Sequence, residues 1–206
     1  MKVLIVGSGG REHALSWKIS KSPLVKKIFV APGNGGTELE NSIINIDIQA
    51  EDIEGLVEFA INKQIDLTVI GPENPLVNGI TDKFEESGLR CFGPSKGAAQ
   101  LEGSKEFMKD FLRKYNIPTA KFNICKTNSQ VYKCLKNYKL PIVVKADGLA
   151  AGKGVTICKS KKQVLKVSSE IFKGKFKSSK KIVLEEFLDG EEASFFLIVD
   201  KKNFKF

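Results

Sequence analysis

One histidine, His13, is all the chain has, and its four cysteines (Cys91, Cys125, Cys134, Cys158) are scattered with no Cys-x-x-Cys pair. Neither a zinc site nor a disulfide framework can be written from them, and reduced thiols suit a cytoplasmic protein. His13 therefore reads as a packed or capping residue, not as a metal ligand or catalytic base. Arginine is nearly as scarce: Arg11, Arg90 and Arg113 stand alone, so lysine supplies almost all of a net charge of +9. Lysines spread thinly, with a modest cluster over residues 159–181, fit a solvated surface better than a nucleic-acid footprint, which relies on arginine for specific contacts. No apolar run approaches the ~18 residues of a membrane span. The opening Met-Lys-Val-Leu-Ile-Val-Gly is also too short for a signal peptide. The expectation is a cytoplasmic chain with no nucleic-acid or membrane partner.

What remains is an ordinary globular composition, 206 residues with 42% hydrophobic content, enough for one or two domains. Short apolar runs recur at residues 2–6, 28–30, 43–46, 67–70 and 89–92. Helical patterns lie between them, one over residues 11–19 and the clearest at Ile53, Leu56, Val57, Ala60 and Ile61. Strands alternating with helices predict an α/β domain with a doubly wound parallel sheet. Trp17 falls on the apolar side of its helix and is expected in the core.

Ligands of such sheets bind beyond the carboxyl ends of the strands. Those ends carry Gly7-Ser8-Gly9-Gly10, Pro32-Gly33-Asn34-Gly35-Gly36 and Gly71-Pro72-Glu73-Asn74-Pro75. A dinucleotide fingerprint fails here, because Glu12 stands where the third glycine belongs and no acidic residue ends the second strand. The helix start at Gly9, Gly10 and Arg11 could still hold a phosphate. Arg11 and Glu12 could equally be an exposed first turn.

A second unit opens near Gly103-Ser104. Ser104 is a good N-cap for a helix over residues 105–115 with Phe107, Met108, Phe111, Leu112 and Tyr115 as its apolar face. Beyond it the pattern predicts strands at 121–125, 142–145, 155–158 and 182–187, helices at 129–138 and 161–173, and a polar, mobile loop at 174–181. Ile142, Val143 and Val144 deliver Lys145 to a loop with Gly148, Gly152, Lys153 and Gly154. Three glycines and two lysines make a cradle for anionic oxygens, though a flexible hairpin with solvated lysines has the same composition. It is not a Walker loop, since Gly154 replaces the Ser/Thr after Lys153. Glu185 could accept from an amino group and Glu192 from ribose hydroxyls, or both could belong to a solvated acidic turn.

Together these stretches resemble the phosphoribosylamine–glycine ligases (glycinamide ribonucleotide synthetases) of purine biosynthesis. The resemblance runs through Val6-Gly-Ser-Gly-Gly-Arg-Glu-His-Ala14, Ala31-Pro-Gly-Asn34, Gly71-Pro-Glu73-x-Pro75-Leu-Val77, Phe92-Gly-Pro-Ser95, Ala98-Ala-Gln-Leu-Glu-Gly-Ser-Lys105, Lys145-Ala-Asp-Gly-Leu-Ala-Ala-Gly-Lys-Gly154 and Glu185-Glu-Phe-Leu-Asp-Gly-Glu-Glu-Ala-Ser194. It implies an ATP-grasp enzyme using ATP, glycine and 5-phosphoribosylamine, with a glycyl phosphate intermediate. It further implies nucleotide contacts at Lys105, Lys145, Gly148, Gly152, Lys153, Gly154, Glu185, Glu186, Leu188 and Glu192. Phosphoribosylamine would sit at Gly9, Gly10, Arg11, Gly33, Asn34, Gly71, Pro72 and Glu73. The implied division is an N-terminal substrate domain (1–103), a connecting helix (104–118), a small α+β ATP-grasp subdomain (119–188) and the incomplete start of the large one (189–206).

The family's chains are much longer. Ligands for Mg²⁺ (or Mn²⁺) are therefore expected beyond Phe206, and residues 1–206 alone are expected to be an inactive monomer. The segment 195–199, Phe204 and Phe206 form an expected aggregation-prone edge. A ligase for another purine intermediate and a non-catalytic nucleotide-binding module are the competing readings.

Overall fold

The computed structural model describes residues 1–150, 153–176, 179–200 and 203–205. The first unit runs β1 (Lys2–Gly7), α1 (Gly10–Ser20), β2 (Lys27–Pro32), α2 (Gly35–Glu38), β3 (Ile43–Asn45), α3 (Ile53–Lys63), β4 (Leu67–Ile70), α4 (Glu73–Asn78), α5 (Ile80–Glu86), β5 (Cys91–Phe92) and α6 (Lys96–Gly103). Its five strands are all parallel in the order β3-β2-β1-β4-β5. Strand order reverses between β1 and β4, which places a crevice for ligand at their carboxyl ends. Alternate residues of β1 feed two cores, Leu4 and Val6 on one face and Val3 and Ile5 on the other. Burial on both faces is why the strands read as continuous apolar runs.

Helix α1 corrects one expectation and meets another. Trp17 is 46% exposed, with the Lys21 ammonium 5.4 Å from its ring centroid, and the buried residues of the helix are Glu12 and Ser16. The helix rests on its small polar stripe, so the large ring points away from the sheet. His13 packs as expected, its Nε2 3.3 Å from Glu40 Oε1.

The second unit comprises α7 (Lys105–Lys114), β6 (Phe122–Cys125), α8 (Asn128–Cys134) with a 3-10 turn, β7 (Ile142–Ala146), β8 (Val155–Cys158), α9 (Lys161–Phe172) and β9 (Ile182–Glu186). These four strands form an antiparallel sheet ordered β6-β9-β7-β8. Ile142, Val144, Ala146, Ile182 and Leu184 face a core shared with Val131 of α8 and Val164 and Ile171 of α9. The other sheet face, by strand alternation, carries Val143, Lys145, Val155, Ile157, Val183 and Glu185. A short hairpin, β10 (Ile198–Val199) with β11 (Phe204–Lys205), follows, and Phe195, Ile198 and Phe204 are exposed. Phe206 and part of the 174–181 loop lie outside the described residues.

Helix α7 keeps its amphipathic reading in part, with Met108, Phe111 and Leu112 half-buried. Ser104 does cap it, accepting from the Phe107 N–H at 3.1 Å. Phe107 and Tyr115, however, are exposed, and the buried residue is Lys109.

Candidate active site

The rim at the carboxyl ends of β1, β2 and β4 is tied together by polar contacts. Gly33 N–H donates to Gly7 O at 3.2 Å, and Gly71 N–H donates to Val6 O at 3.0 Å. Asn34 Oδ1 caps α2 by accepting from Gly36 and Thr37 N–H, while its Nδ2 donates to Ser8 O at 2.8 Å. Arg11 Nη2 reaches Glu73 Oε1 at 2.9 Å. The Arg11 pairing strengthens its positive form, and the Glu73 carboxyl is held below the usual carboxylate range by its own backbone N–H and by Arg11. Gly9, Gly10, Arg11, Gly33, Asn34, Gly71, Pro72 and Glu73 thus share one rim.

Glu12 changes how the glycines are understood. Its side chain is buried, Oε2 accepts from Gly9 N–H at 2.7 Å, and Oε1 has no hydrogen-bond partner. A Cβ on Gly7 would lie 2.5 Å from Glu12 Cγ, and one on Gly71 would overlap Oε1. These two glycines make room for a carboxylate. Arg11 keeps the exposed first turn while Glu12 leaves it for the interior, and the Gly9 N–H is engaged by Glu12 Oε2.

The second unit contributes the facing wall. Lys105 Nζ donates to Gly148 O at 3.0 Å. Asp147, which sequence reading left without a role, accepts from Ser104 Oγ at 3.2 Å and from Glu106 N–H at 3.1 Å. It therefore pins the glycine loop to the start of α7. Lys181 forms an ion pair with Glu106 beside it. Gly154 is buried where a Cβ would come 2.7 Å from Ala150 Cβ, and Lys153 is exposed. Gly152 lies outside the described residues.

Lys145 Nζ meets Glu185 Oε2 at 2.8 Å, and Lys109 Nζ lies 3.1 Å from Glu185 Oε1. Glu185 is thus shared between two ammonium groups and does not stand free. Glu186 Oε1 accepts from Lys121 N–H at 2.7 Å, holding β9 to the β6 edge, while Leu188 and Glu192 stand exposed beyond β9. Beside Lys145, Val155 and Ile157 leave an apolar strip 48% and 49% exposed on the open sheet face.

The two walls enclose a cavity of about 640 Å³, lined by Arg11 and Glu73 from the first unit and by Lys105, Gly148 and Gly154 from the second. That volume suits a small-molecule site. The Lys105 ammonium on one side and the Glu73 carboxylate on the other can hold a phosphate group against a donor-rich partner. Among the described residues no group of three or more His, Cys, Asp or Glu side chains gathers as a metal site, and no helix is long and apolar enough to cross a membrane.

Comparison with known proteins agrees over the whole chain. Residues 1–102 match the phosphoribosylglycinamide synthetase N domain, and residues 103–206 match the ATP-grasp (A) domain of the same synthetase. The phosphoribosylamine–glycine ligase of Haemophilus influenzae is 52% identical over 205 residues, covering 98% of this chain and 48% of that protein. The Clostridium acetobutylicum ligase is 51% identical, covering 98% and 49%. The solved Thermotoga maritima ligase superposes with a TM-score of 0.80 at 34% identity, over 99% of this chain and 48% of its own. The N5-carboxyaminoimidazole ribonucleotide synthetase of the same organism shares the fold, with a TM-score of 0.62 at 22% identity over 90% of this chain and 45% of its own. The chain spans about half the length of the curated relatives it matches. With its parallel-sheet N domain and its ATP-grasp (A) domain, the chain belongs to the phosphoribosylglycinamide synthetase family.

Proposed function

We propose that this chain carries the ATP and phosphoribosylamine sites of a phosphoribosylamine–glycine ligase, the activity for which its relatives are named. The observation behind the reading is a cavity lined jointly by Arg11, Glu73, Lys105, Gly148 and Gly154. ATP would lie along the open sheet face with its base on Val155 and Ile157, near the backbone of Glu186 and Leu188. Its ribose would point toward Glu192, and its phosphates toward Lys105, Lys145, Lys153 and the loop 148–154. Phosphoribosylamine would take the rim from Gly9 to Glu73, where the Glu73 carboxylate suits its amine and hydroxyl donors.

In the proposed reaction ATP phosphorylates the glycine carboxylate, giving glycyl phosphate and ADP. The amine of 5-phosphoribosylamine then attacks the acyl carbon, and phosphate leaves as the C–N bond forms. Such transfer depends on placement and charge neutralisation more than on a general base, and the lysines supply charge where phosphate develops it. The described residues do not fit a divalent-ion site, so no step is routed through one. Because the chain spans about half of its relatives, the complete reaction is proposed for the family-length protein.

The test is ADP release by the family-length protein. Release should require glycine and phosphoribosylamine together, and K145M should lower kcat/KM by roughly a hundredfold. Release driven equally well by bicarbonate or formate would sink the assignment.

A further inference from the structure

Helix α7 buries a lysine while leaving aromatic residues outside. Lys109 is 3% exposed, against 43% for Phe107 and 55% for Tyr115. Its ammonium donates to Thr119 Oγ1 at 2.6 Å, lies 5.4 Å from the Phe122 ring centroid, and faces Glu185 Oε1 at 3.1 Å. That oxygen is buried and accepts no hydrogen bond, so it meets Lys109 as charge against charge. The other oxygen, Oε2, turns to Lys145 at 2.8 Å. Of the three side chains, Lys145 alone keeps a substantial solvent-facing part, 26% against 3% and 5%.

A buried ion pair seldom stabilises a fold more than an apolar pair of the same volume, so stability gives little reason for lysine at position 109. Charge and direction give one. A lone carboxylate behind Lys145 would neutralise it and draw it inward. A second cation behind that carboxylate offsets the neutralisation and fixes the plane from which Oε2 holds Lys145.

We propose that Lys109 is a positioning residue for nucleotide phosphate: out of a ligand's reach, it fixes Glu185, which in turn sets the direction and effective charge of Lys145 at the open sheet face. The proposal rests on the reading of Lys145 as a phosphate contact. It adds an inner lysine from α7 that acts only through β9 and β7.

Calorimetric titration of the chain with ADP tests it, using K109M, K109R, K145M and the double variant K109M/K145M. K109M should weaken ADP binding about tenfold, K109R much less, and the double variant no further than K145M alone. Additive losses, or unchanged affinity in K109M, would overturn the positioning role, since damage to folding alone would not vanish in the K145M background. If K109M fails to fold, T119V removes only the Thr119 acceptor. A smaller loss that disappears beside K145M supports the proposal, and no loss, or one that persists, overturns it. A wild-type chain that takes up no ADP, or a K145M chain that binds as wild type does, overturns the phosphate reading of Lys145 instead and removes the proposal with it.

Discussion

Glu12 lies beneath Gly71, with its Oε1 where a Gly71 side chain would begin. The G71A variant must therefore push back a buried carboxylate that is anchored on Gly9 N–H. Overpacking of this kind should cost about 1–3 kcal/mol in urea melts. Adding E12A to G71A should recover most of that loss relative to E12A alone. A G71A penalty that is the same with or without the Glu12 side chain would contradict the contact.

Asp147 caps α7 from outside the helix. D147A removes acceptors from Glu106 N–H and Ser104 Oγ. The expected loss is about 1 kcal/mol, as for other N-cap deletions. D147N should retain part of it. Urea melts of the two variants measure the difference.

The Arg11–Glu73 pair predicts a pH dependence. The folded Glu73 carboxyl titrates below its ordinary range, so the contact favours the folded chain above the unfolded carboxyl's titration and is lost as pH falls through the folded value. The side chains are 68% and 41% exposed, and solvent screening should hold the effect to about 0.5 kcal/mol. Thermal melts of wild type and E73Q should differ slightly at pH 7 and converge toward pH 3. A gap that widens on acidification would reverse the sign.

The thiols should be sluggish. Burial pushes Cys91 up to about 11 and Cys125 up to about 12, the latter also through its neighbour Cys134. Iodoacetamide at pH 8 should label neither at an appreciable rate in the folded chain, and both on unfolding in urea. Peptide mass mapping distinguishes the sites.

The strands were legible because doubly covered β-strands are written as apolar runs: residues 3–6 and 28–30 needed no context. The site was legible only as loops. Rim and glycine-loop residues could be named from glycine and charge, but Glu12 looked like an exposed first-turn acid until the glycines around it were seen as its space. Lys109 and Glu185 stand 76 positions apart, and no local pattern says which lysine on a helix will find a buried carboxylate. Trp17 failed for a related reason. Periodicity finds the apolar side of a helix, but the buried side of α1 is the one with Glu12 and Ser16.

The Asp147 cap has a thermodynamic consequence. One carboxylate closes the first turn of α7 and anchors the loop that follows β7, while Lys105 from that same turn reaches Gly148 O. Fraying of the helix start and release of the loop are then one event. A ligand that needs Lys105 and the loop together raises the free energy of that opening by mass action. The amides of Glu106 and Phe107, bonded to Asp147 and Ser104, would consequently report occupancy by such a ligand through slower hydrogen exchange.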